Sequence, residues 1–304
     1  MKKVLITGGA GTVGSAFIKK YYNNYEFYNF SRGEEQIAEL ARNYPKVQSI
    51  IGDICNLDQL INAFERIKPD IVIHAAALKH VNLAELNPSQ TVEINLVGSL
   101  NVIKASIRTK TPITIGISTD KACAPENVYG YTKKMMEMMF TEHHNSETKF
   151  VCTRFANVAG SHGSVIPFWK NLKEKGEQLK LTDPKMNRLM FSKEESAKLI
   201  QKSIDYTQIY DNSFILSNIM NTVNMLDLAK VISKGKNIEI VGARPGEKTN
   251  ETLVSEKELP FTYCKDNYVL IFNEKQSKDN NLEKELSSSS AKKMSKEQID
   301  KIIK

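Results

Sequence analysis

The chain has 304 residues, enough for one large domain or two smaller ones with a substantial core. Hydrophobic residues make up 41% of it, and no apolar run approaches bilayer-spanning length, so a transmembrane segment is excluded. The net charge of +7 suits an anionic ligand, but the lysines are scattered with no basic strip of interleaved aromatics, so a solvated surface is preferred over a nucleic-acid function.

Residues 2–7 read as a short buried strand. Their Met-Lys-Lys start imitates a secretory leader, but the apolar run stops at Gly8. Gly8-Gly-Ala-Gly11-Thr-Val-Gly14 follows at once, and residues 15–22 then place Ala16, Phe17 and Tyr21 at helical spacing. Strand, glycine turn and helix form the setting in which such a motif holds a pyrophosphate. The glycines let backbone approach it, and the helix N-terminus meets its charge. An ordinary glycine-rich turn is the alternative, and the flanking strand and helix argue against it.

A second strand at 26–30 ends in Ser31-Arg32-Gly33. About 20 residues beyond the glycines, a cofactor with a free ribose 2′-hydroxyl usually meets an Asp or Glu. A hydroxyl and a guanidinium stand there instead, and they suit a 2′-phosphate. NADP is therefore expected, although Glu34 and Glu35 follow closely. After a third strand at 47–51, Asp53 and Ile54 are placed either to border the adenine or to close the strand as a turn.

Residues 70–76 read as the fourth strand, 91–106 as a long helix, 113–118 as the fifth strand, 129–143 as a helix and 150–155 as the sixth strand. This alternation predicts an α/β fold built on a doubly wound parallel sheet of Rossmann type, with reacting groups at the C-terminal ends of the strands. After Asn157 the elements shorten, with turns at Gly163, Pro167, Gly176 and Pro184. The expected organisation is a cofactor-binding domain over 1–160, joined by a returning strand near 213–217. A smaller, discontinuous substrate-binding domain over 161–265 follows, and then a polar tail over 266–304. That tail contains Ser287-Ser-Ser-Ser290 and ends in a helix at 295–303. Cys55, Cys123, Cys152 and Cys264 show no Cys-x-x-Cys pairing and no histidines at metal spacing, so reduced thiols and no metal site are expected.

The densest chemistry lies in Ser118-Thr-Asp-Lys-Ala122 and Tyr129-Gly-Tyr-Thr-Lys133. One helical turn separates Tyr129 from Lys133, so both project from one face. An ammonium beside a phenol favours the phenolate, which a base needs to take a hydroxyl proton near neutral pH. Asp120 and Lys121 add a second acid and base, which a plain alcohol dehydrogenase does not need. A salt-bridged strand end is the ordinary reading of that pair, and its place beside Tyr129 favours chemistry.

His74-Ala-Ala-Ala-Leu-Lys-His-Val81, Ser118-Thr-Asp-Lys121, Tyr129 to Lys133, Gly160 with Gly163-Ser-Val-Ile-Pro167, and Arg244-Pro-Gly-Glu-Lys248 occur in order within residues 3–260. In this combination the chain resembles an extended short-chain dehydrogenase/reductase. Within that superfamily it is similar to the nucleotide-sugar 4,6-dehydratases of the polysaccharide-biosynthesis (FlaA-type, capsule-type) group. The Ala-Ala-Leu-Lys-His block and the Thr-Asp-Lys triplet are far more selective than the glycine fingerprint. The more familiar sugar dehydratases carry Asp-Glu where this chain has Asp120-Lys121.

The resemblance implies NADP as cofactor and conversion of UDP-N-acetylglucosamine to a UDP-4-keto-6-deoxy sugar, with C5 inverted, for surface or flagellar glycans. It implies that Tyr129 takes the proton from the 4-hydroxyl, that Thr119 holds that oxygen, and that Lys133 supports Tyr129 and the nicotinamide ribose. Lys121, its pKa lowered by burial or neighbouring cations, removes the C5 proton. Asp120 protonates the departing 6-hydroxyl. The cofactor is expected along Gly8, Gly11, Thr12, Val13, Gly14, Ser31, Arg32, Asp53, Ile54, Ala75, Ala76, Ala77, Lys79 and Asn95, with Tyr129 and Lys133. The substrate is expected at Lys79, His80, Asn157, Gly163, Ser164, Val165, Arg188, Arg244 and Glu247. Both arginines are assigned to the diphosphate and Glu247 to the ribose or base.

His162 departs from the pattern, standing where many relatives have Arg before Gly-Ser-Val. The chain also lacks the membrane-spanning half of some relatives. A cytoplasmic homo-oligomer with a UDP-sugar partner, and with no nucleic-acid or membrane partner, is therefore expected. An NADP-dependent epimerase or reductase on a nucleotide sugar, an already dehydrated 5,6-ene included, would share Tyr129 and the glycines. A non-catalytic NADP-sensing or nucleic-acid-binding module ranks last, because such proteins typically lose the Tyr/Lys couple that this chain keeps.

Overall fold

Runs of apolar residues form strands that are buried on both faces, and these strands organise the chain. In a computed structural model, described for residues 1–235, 237–242, 246–277 and 280–303, the first half alternates strand and helix. It runs β1 (Lys3–Thr7), α1 (Thr12–Tyr21), β2 (Glu26–Ser31), α2 (Glu34–Asn43), β3 (Gln48–Ile51), α3 (Leu57–Ile67) and β4 (Ile71–His74). Helices α4 (Val81–Leu86), α5 (Pro88–Val92) and α6 (Gly98–Arg108) follow, then β5 (Ile113–Thr119), α7 (Val128–Glu142) and β6 (Lys149–Phe155).

The second half holds β7 (Asn157–Val158), α8 (Val165–Glu174), β8 (Leu179–Leu181), β9 (Asn187–Phe191), α9 (Lys193–Tyr206), β10 (Phe214–Asn218), β11 (Thr222–Asn224) and α10 (Met225–Ser233). It finishes with β12 (Ile238–Ile240), β13 (Thr252–Val254), β14 (Thr262–Lys265), β15 (Tyr268–Phe272), β16 (Leu286–Ser287) and α11 (Lys296–Ile303).

The main sheet has the order β14-β15-β10-β6-β5-β4-β1-β2-β3. Strands from β3 through β10 are parallel, whereas β15 and β14 are antiparallel. The 3-2-1-4-5-6 arrangement is that of the doubly wound dinucleotide fold, whose ligands lie beyond the strands' C-terminal ends. All seven residues of β5 are buried, which fixes Thr119 and the turn after it at the centre of that edge.

A second lobe is built from the β11-β9-β7 sheet, the β12-β8 pair and helices α8, α10 and α11. Trp169, Leu172, Met186, Met190, Met225, Leu228 and Ile299 fill its core.

Three expectations change. The first helix begins at Thr12, because Gly11 already serves as its N-cap. The helix expected over 91–106 starts at Pro88 and continues to Arg108 through a π turn at Glu93–Val97. The stretch 266–304, expected as a polar tail, is built into the molecule. β15 pairs with the returning strand β10, β16 pairs with β13, and Ser287 and Ser288 are buried. Val269, Leu270, Ile271 and Phe272 of β15 are buried in the main core, so this apolar run is a core strand, and the buried Ser287 and Ser288 beyond it carry no apolar signal. Among the described residues, no helix is long and apolar enough to cross a membrane.

Candidate active site

The glycine turn is a cradle of bare backbone. Gly8 sits at φ +73°, and a Cβ there would come within 2.8 Å of the Ala76 nitrogen. A Cβ on Gly14 would meet Gly9 Cα at 2.5 Å. Asn29, on β2, braces the turn by accepting from the Ala10 N–H (3.2 Å) and the Ser31 hydroxyl (2.7 Å). No side chain caps α1, so the first-turn N–H groups around Thr12 and Val13 have no side-chain acceptor. A small concave turn ending in an uncapped helix N-terminus fits a dinucleotide pyrophosphate. Ala75 and Ala76 form the opposite wall, with Ala77 next in the chain; the Ala75 N–H donates to Thr7 O at 3.0 Å.

At the end of β2, Arg32 pairs with Asp53 at 3.2 Å, with their side chains 58% and 36% exposed. Burial pushes the Asp53 carboxyl up, but the Cys55 N–H and Arg32 outweigh this and hold it below its ordinary value. Ile54 is buried against Gly98 and serves the core. Asn95 is also fully engaged: it accepts from the Leu78 N–H, donates to Leu78 O, and reaches Thr132 at 3.1 Å. It clamps the loop after β4 onto α7.

The proton-transfer residues converge where β5 ends. Asp120–Ala122 form one 3₁₀ turn, and Asn127 then caps α7 by accepting from the Gly130 N–H at 2.8 Å. A Cβ on Gly130 would lie 2.5 Å from Lys121 O, so that glycine lets α7 seat against the Asp120–Lys121 turn. The Thr119 hydroxyl donates to Asp120 Oδ1 at 2.9 Å, and Lys121 Nζ donates to the same oxygen at 3.0 Å. Glu251 approaches Lys121 Nζ at 3.3 Å from the segment leading into β13. Asp120 Oδ2 is buried and has no partner.

Two electrostatic expectations are corrected. Burial pushes the Tyr129 phenol up to about 12, and the cation opposing that push is Lys121, with a smaller contribution from the neighbouring Thr119 hydroxyl. Lys133, expected beside the phenol, donates from Nζ to Ile117 O at 2.7 Å, and burial lowers it to about 8. Lys121 was expected to have a lowered pKa. Burial does press it down, but Asp120 and Glu251 more than offset this and hold it above the ordinary lysine value. Cys123 is buried, with Sγ 3.1 Å from Glu258, and stands behind the site.

Between the sheet and the second lobe lies a cleft of about 740 Å³. It gathers Lys79, His80, Lys121, Asn157, Gly163, Ser164, Val165, Arg188, Glu247 and Glu251 on one surface. Arg188 is buried and spends its guanidinium on the carbonyls of Asn187 (2.9 Å) and Lys248 (2.8 Å), which pins the 246–250 segment over the cleft. Ser164, at the N-terminus of α8, has a buried hydroxyl without a partner. Gly163, at φ +69°, packs so close to His80 that a Cβ would sit 2.6 Å from the imidazole. His162 lies 3.0 Å from the Thr12 hydroxyl, and Lys79 Nζ donates to His162 O at 2.9 Å, so this loop bridges the glycine turn and the cleft. Arg244 lies outside the described residues.

Glu251 and the buried Glu137–Arg154–Glu258 cluster are absent from the expectations drawn from sequence. Neither has a motif of its own; Glu251 stands 130 residues from its partner Lys121.

A family model described as polysaccharide biosynthesis protein matches residues 4–272. The chain belongs to this family. UDP-N-acetylglucosamine 4,6-dehydratase (inverting) of Campylobacter jejuni is 35% identical over 280 residues, spanning 89% of this chain and 82% of that protein. UDP-glucose 4-epimerase of Rickettsia bellii is 33% identical over 284 residues, with the same two coverages of 89% and 82%. Among solved structures, that of Pen from Bacillus thuringiensis superposes with a TM-score of 0.91 at 31% identity, covering 99% of this chain and 96% of that one. The glycine turn, the Asp120–Lys121 turn and the described cleft residues all lie within the matched span.

Proposed function

We propose that the chain is a nucleotide-sugar 4,6-dehydratase that converts UDP-N-acetylglucosamine to the 4-keto-6-deoxy sugar with inversion at C5. One observation carries this reading. A separate acid–base pair, Asp120–Lys121, sits beside the dehydrogenase tyrosine at the head of a cleft large enough for a nucleotide sugar. An oxidation and its reversal need only Tyr129, whereas eliminating water needs a further base and acid.

The Gly8–Gly14 turn, the Ala75–Ala77 stretch and Lys133 would hold a nicotinamide dinucleotide, with Ser31 and Arg32 selecting NADP through its 2′-phosphate. When bound, that cofactor supplies the acceptor for the C4 hydrogen and returns it at C6. Tyr129 acts as the phenolate, the form that the Lys121 ammonium favours, and receives the 4-hydroxyl proton, while Thr119 orients the same oxygen. The C4 ketone makes the C5 proton acidic, because its conjugate base is an enolate. Lys121 removes that proton, Asp120 gives one to the 6-hydroxyl, the C6–O bond breaks and water leaves. A proton from solvent, delivered to the opposite face of C5, completes the inversion. The unpartnered Asp120 Oδ2 and Ser164 hydroxyl are the groups a bound sugar would satisfy.

The reading includes a cytoplasmic enzyme that associates with copies of itself. Tyr131, Met135 and Met138 support that association, forming an exposed stripe at i, i+4 and i+7 on α7. Light scattering of the parent and of Met138→Glu tests it.

Incubating the protein with UDP-N-acetylglucosamine in deuterated water, followed by NMR of the product, tests the function. The expected product is a 4-keto-6-deoxy sugar with deuterium at C5, formed without net consumption of cofactor. A C4 epimer that retains its 6-hydroxyl would establish the epimerase named for the Rickettsia relative instead.

A further inference from the structure

Glu251 is an acidic side chain buried in the wall of the cleft, and the mechanism above does not use it. Its carboxylate lies 3.3 Å from Lys121 Nζ, which also donates to Asp120 Oδ1 at 3.0 Å. Its backbone is fixed: the Glu251 N–H donates to the Ser288 hydroxyl at 2.9 Å, and the Ser288 N–H donates back to Glu251 O at 2.8 Å. The charged and titratable groups facing Lys121 are Asp120 from its own turn, Glu251, Arg188 from β9 and Tyr129 from α7. Those facing Glu251 are Lys121, Asp120 and Arg188.

We propose that Glu251 is a positioning residue that shares one proton with Asp120 and Lys121, so that Lys121 can act as a free amine while a carboxylic acid remains beside it. This inference rests on the dehydratase reading. The proton arithmetic supports it. An ammonium flanked by two carboxylates carries net charge −1 and one transferable proton. Moving that proton onto a carboxylate yields an amine and an acid at the same net charge, without exchange with water. The C5 proton then passes to the amine, and the acid's proton leaves with the 6-hydroxyl, so base and acid act in the same dry cleft. A cluster of one Lys and one Asp has a single carboxylate for both duties. With Glu251 present, one carboxyl holds the proton while the other stabilises the ammonium that forms. Burial pushes the Glu251 carboxyl up, and Asp120 adds to that push against the pull of Lys121 and Arg188, in keeping with a group able to hold a proton.

Glu251→Gln keeps shape and hydrogen bonding but cannot take the proton, and Glu251→Asp restores a carboxylate. The expected result is that Gln slows solvent-deuterium entry at C5 by about 10²-fold, within the usual span of acid–base contributions. Asp recovers a large part of that loss, and the pH profile of exchange changes shape in Gln only. Independently of substrate, NMR of protein carrying ¹⁵N-labelled lysine side chains follows Lys121. Losing the neighbouring carboxylate should lower its titration by at least about one pH unit.

Exchange at the parent rate in Glu251→Gln, with or without a moved Lys121 titration, overturns the proposal. So does an unmoved titration accompanied by slow exchange that Asp fails to rescue, which would mark a structural role. Failure of the parent to dehydrate any UDP-hexosamine would overturn the functional reading itself, and the lysine titration would still decide whether Glu251 and Lys121 are coupled.

Discussion

Two clusters that each set a pair of carboxylates around a largely buried cation lie near the ends of β5 and β6, the first with Lys134 also 3.7 Å from both its carboxylates, and they are built for opposite ends. In the first, Arg154 of β6 donates to Glu137 at 2.9 and 2.8 Å, to Glu258 at 3.1 and 2.9 Å, and to Leu253 O at 2.8 Å. Ser118 donates to Glu137 at 2.7 Å, and Glu258 also accepts from the Ser255 N–H at 3.0 Å. The rigid guanidinium fork saturates its partners, and no atom is left for a ligand. In the second, in the turn that follows β5 three residues after Ser118, Lys121 offers a compact ammonium to Asp120 and Glu251. Asp120 Oδ2 stays unpartnered, and the cleft opens in front. Buried charge alone does not mark chemistry. An unfilled hydrogen-bonding position that faces a cleft does.

The largest expected effect lies in the open cluster. Lys121→Met should lower dehydration by roughly 10²–10⁴-fold, about 3–5 kcal/mol of barrier, and abolish deuterium entry at C5. Tyr129→Phe should reduce turnover by a similar factor with the fold intact, because it removes one hydroxyl and creates no large cavity. Steady-state assays with circular dichroism check both. A Lys121→Met protein that exchanges C5 normally would shift the base to another residue.

The closed cluster should respond in stability. Arg154→Met leaves Glu137 and Glu258 only the longer 3.7 Å ion pairs with Lys134 and should cost about 3–5 kcal/mol in denaturant unfolding. Its pH dependence has a definite sign. Burial opposes ionisation of Glu258, but Arg154 and the Ser255 N–H hold the carboxyl down to about 2. The resulting stability is complete above the ordinary glutamate pKa and is lost as pH falls from about 4.5 towards about 2. Unfolding free energies measured across that window should decline steeply in the parent and more gently in Glu258→Gln.

The glycine turn should show a smaller, steric effect. In Gly14→Ala the new methyl would meet Gly9 Cα, Gly9 O and Gly8 O at 2.5, 2.7 and 2.9 Å, all of them backbone atoms. Overpacking of this kind costs about 1–3 kcal/mol, and dinucleotide affinity measured by calorimetry should fall with it. Unchanged affinity would mean that the turn does not hold the pyrophosphate.

The parts of this architecture that sequence makes legible are those whose signal is local. Strands with unbroken apolar runs, the Gly8–Gly14 turn and the helical spacing of Tyr129 and Lys133 depend on neighbours within a few residues, and all appear near their expected positions. Apart from Arg244, outside the described residues, the substrate residues read from motifs also line one cleft. Direction and partnership were not legible. Tyr-x-x-x-Lys spacing put Lys133 beside Tyr129, yet its ammonium turns inward to Ile117 O, and Lys121 supplies the nearby charge. Glu251 meets Lys121 only because β13 is held by β16 and Ser288, a pairing within a serine-rich stretch that reads as solvent-exposed.

The smallest effect separates the surface pair from both buried clusters. Arg32 and Asp53 are as close as many buried pairs, but solvent screens them, so Arg32→Ala should leave folding stability nearly unchanged. The effect belongs in cofactor choice. With no acidic side chain on the last residue of β2, a 2′-phosphate can take Arg32 from Asp53, whereas a 2′-hydroxyl gains little from that exchange. Arg32→Asp should therefore weaken NADP by about tenfold, roughly 1.4 kcal/mol, and leave NAD unchanged or improved. Asp53→Asn, by releasing Arg32, should shift the preference slightly the other way. Calorimetric titration of both dinucleotides into the three proteins measures this directly. Tighter NAD binding by the parent would show that the guanidinium belongs to Asp53, and that the end of β2 selects against the phosphate.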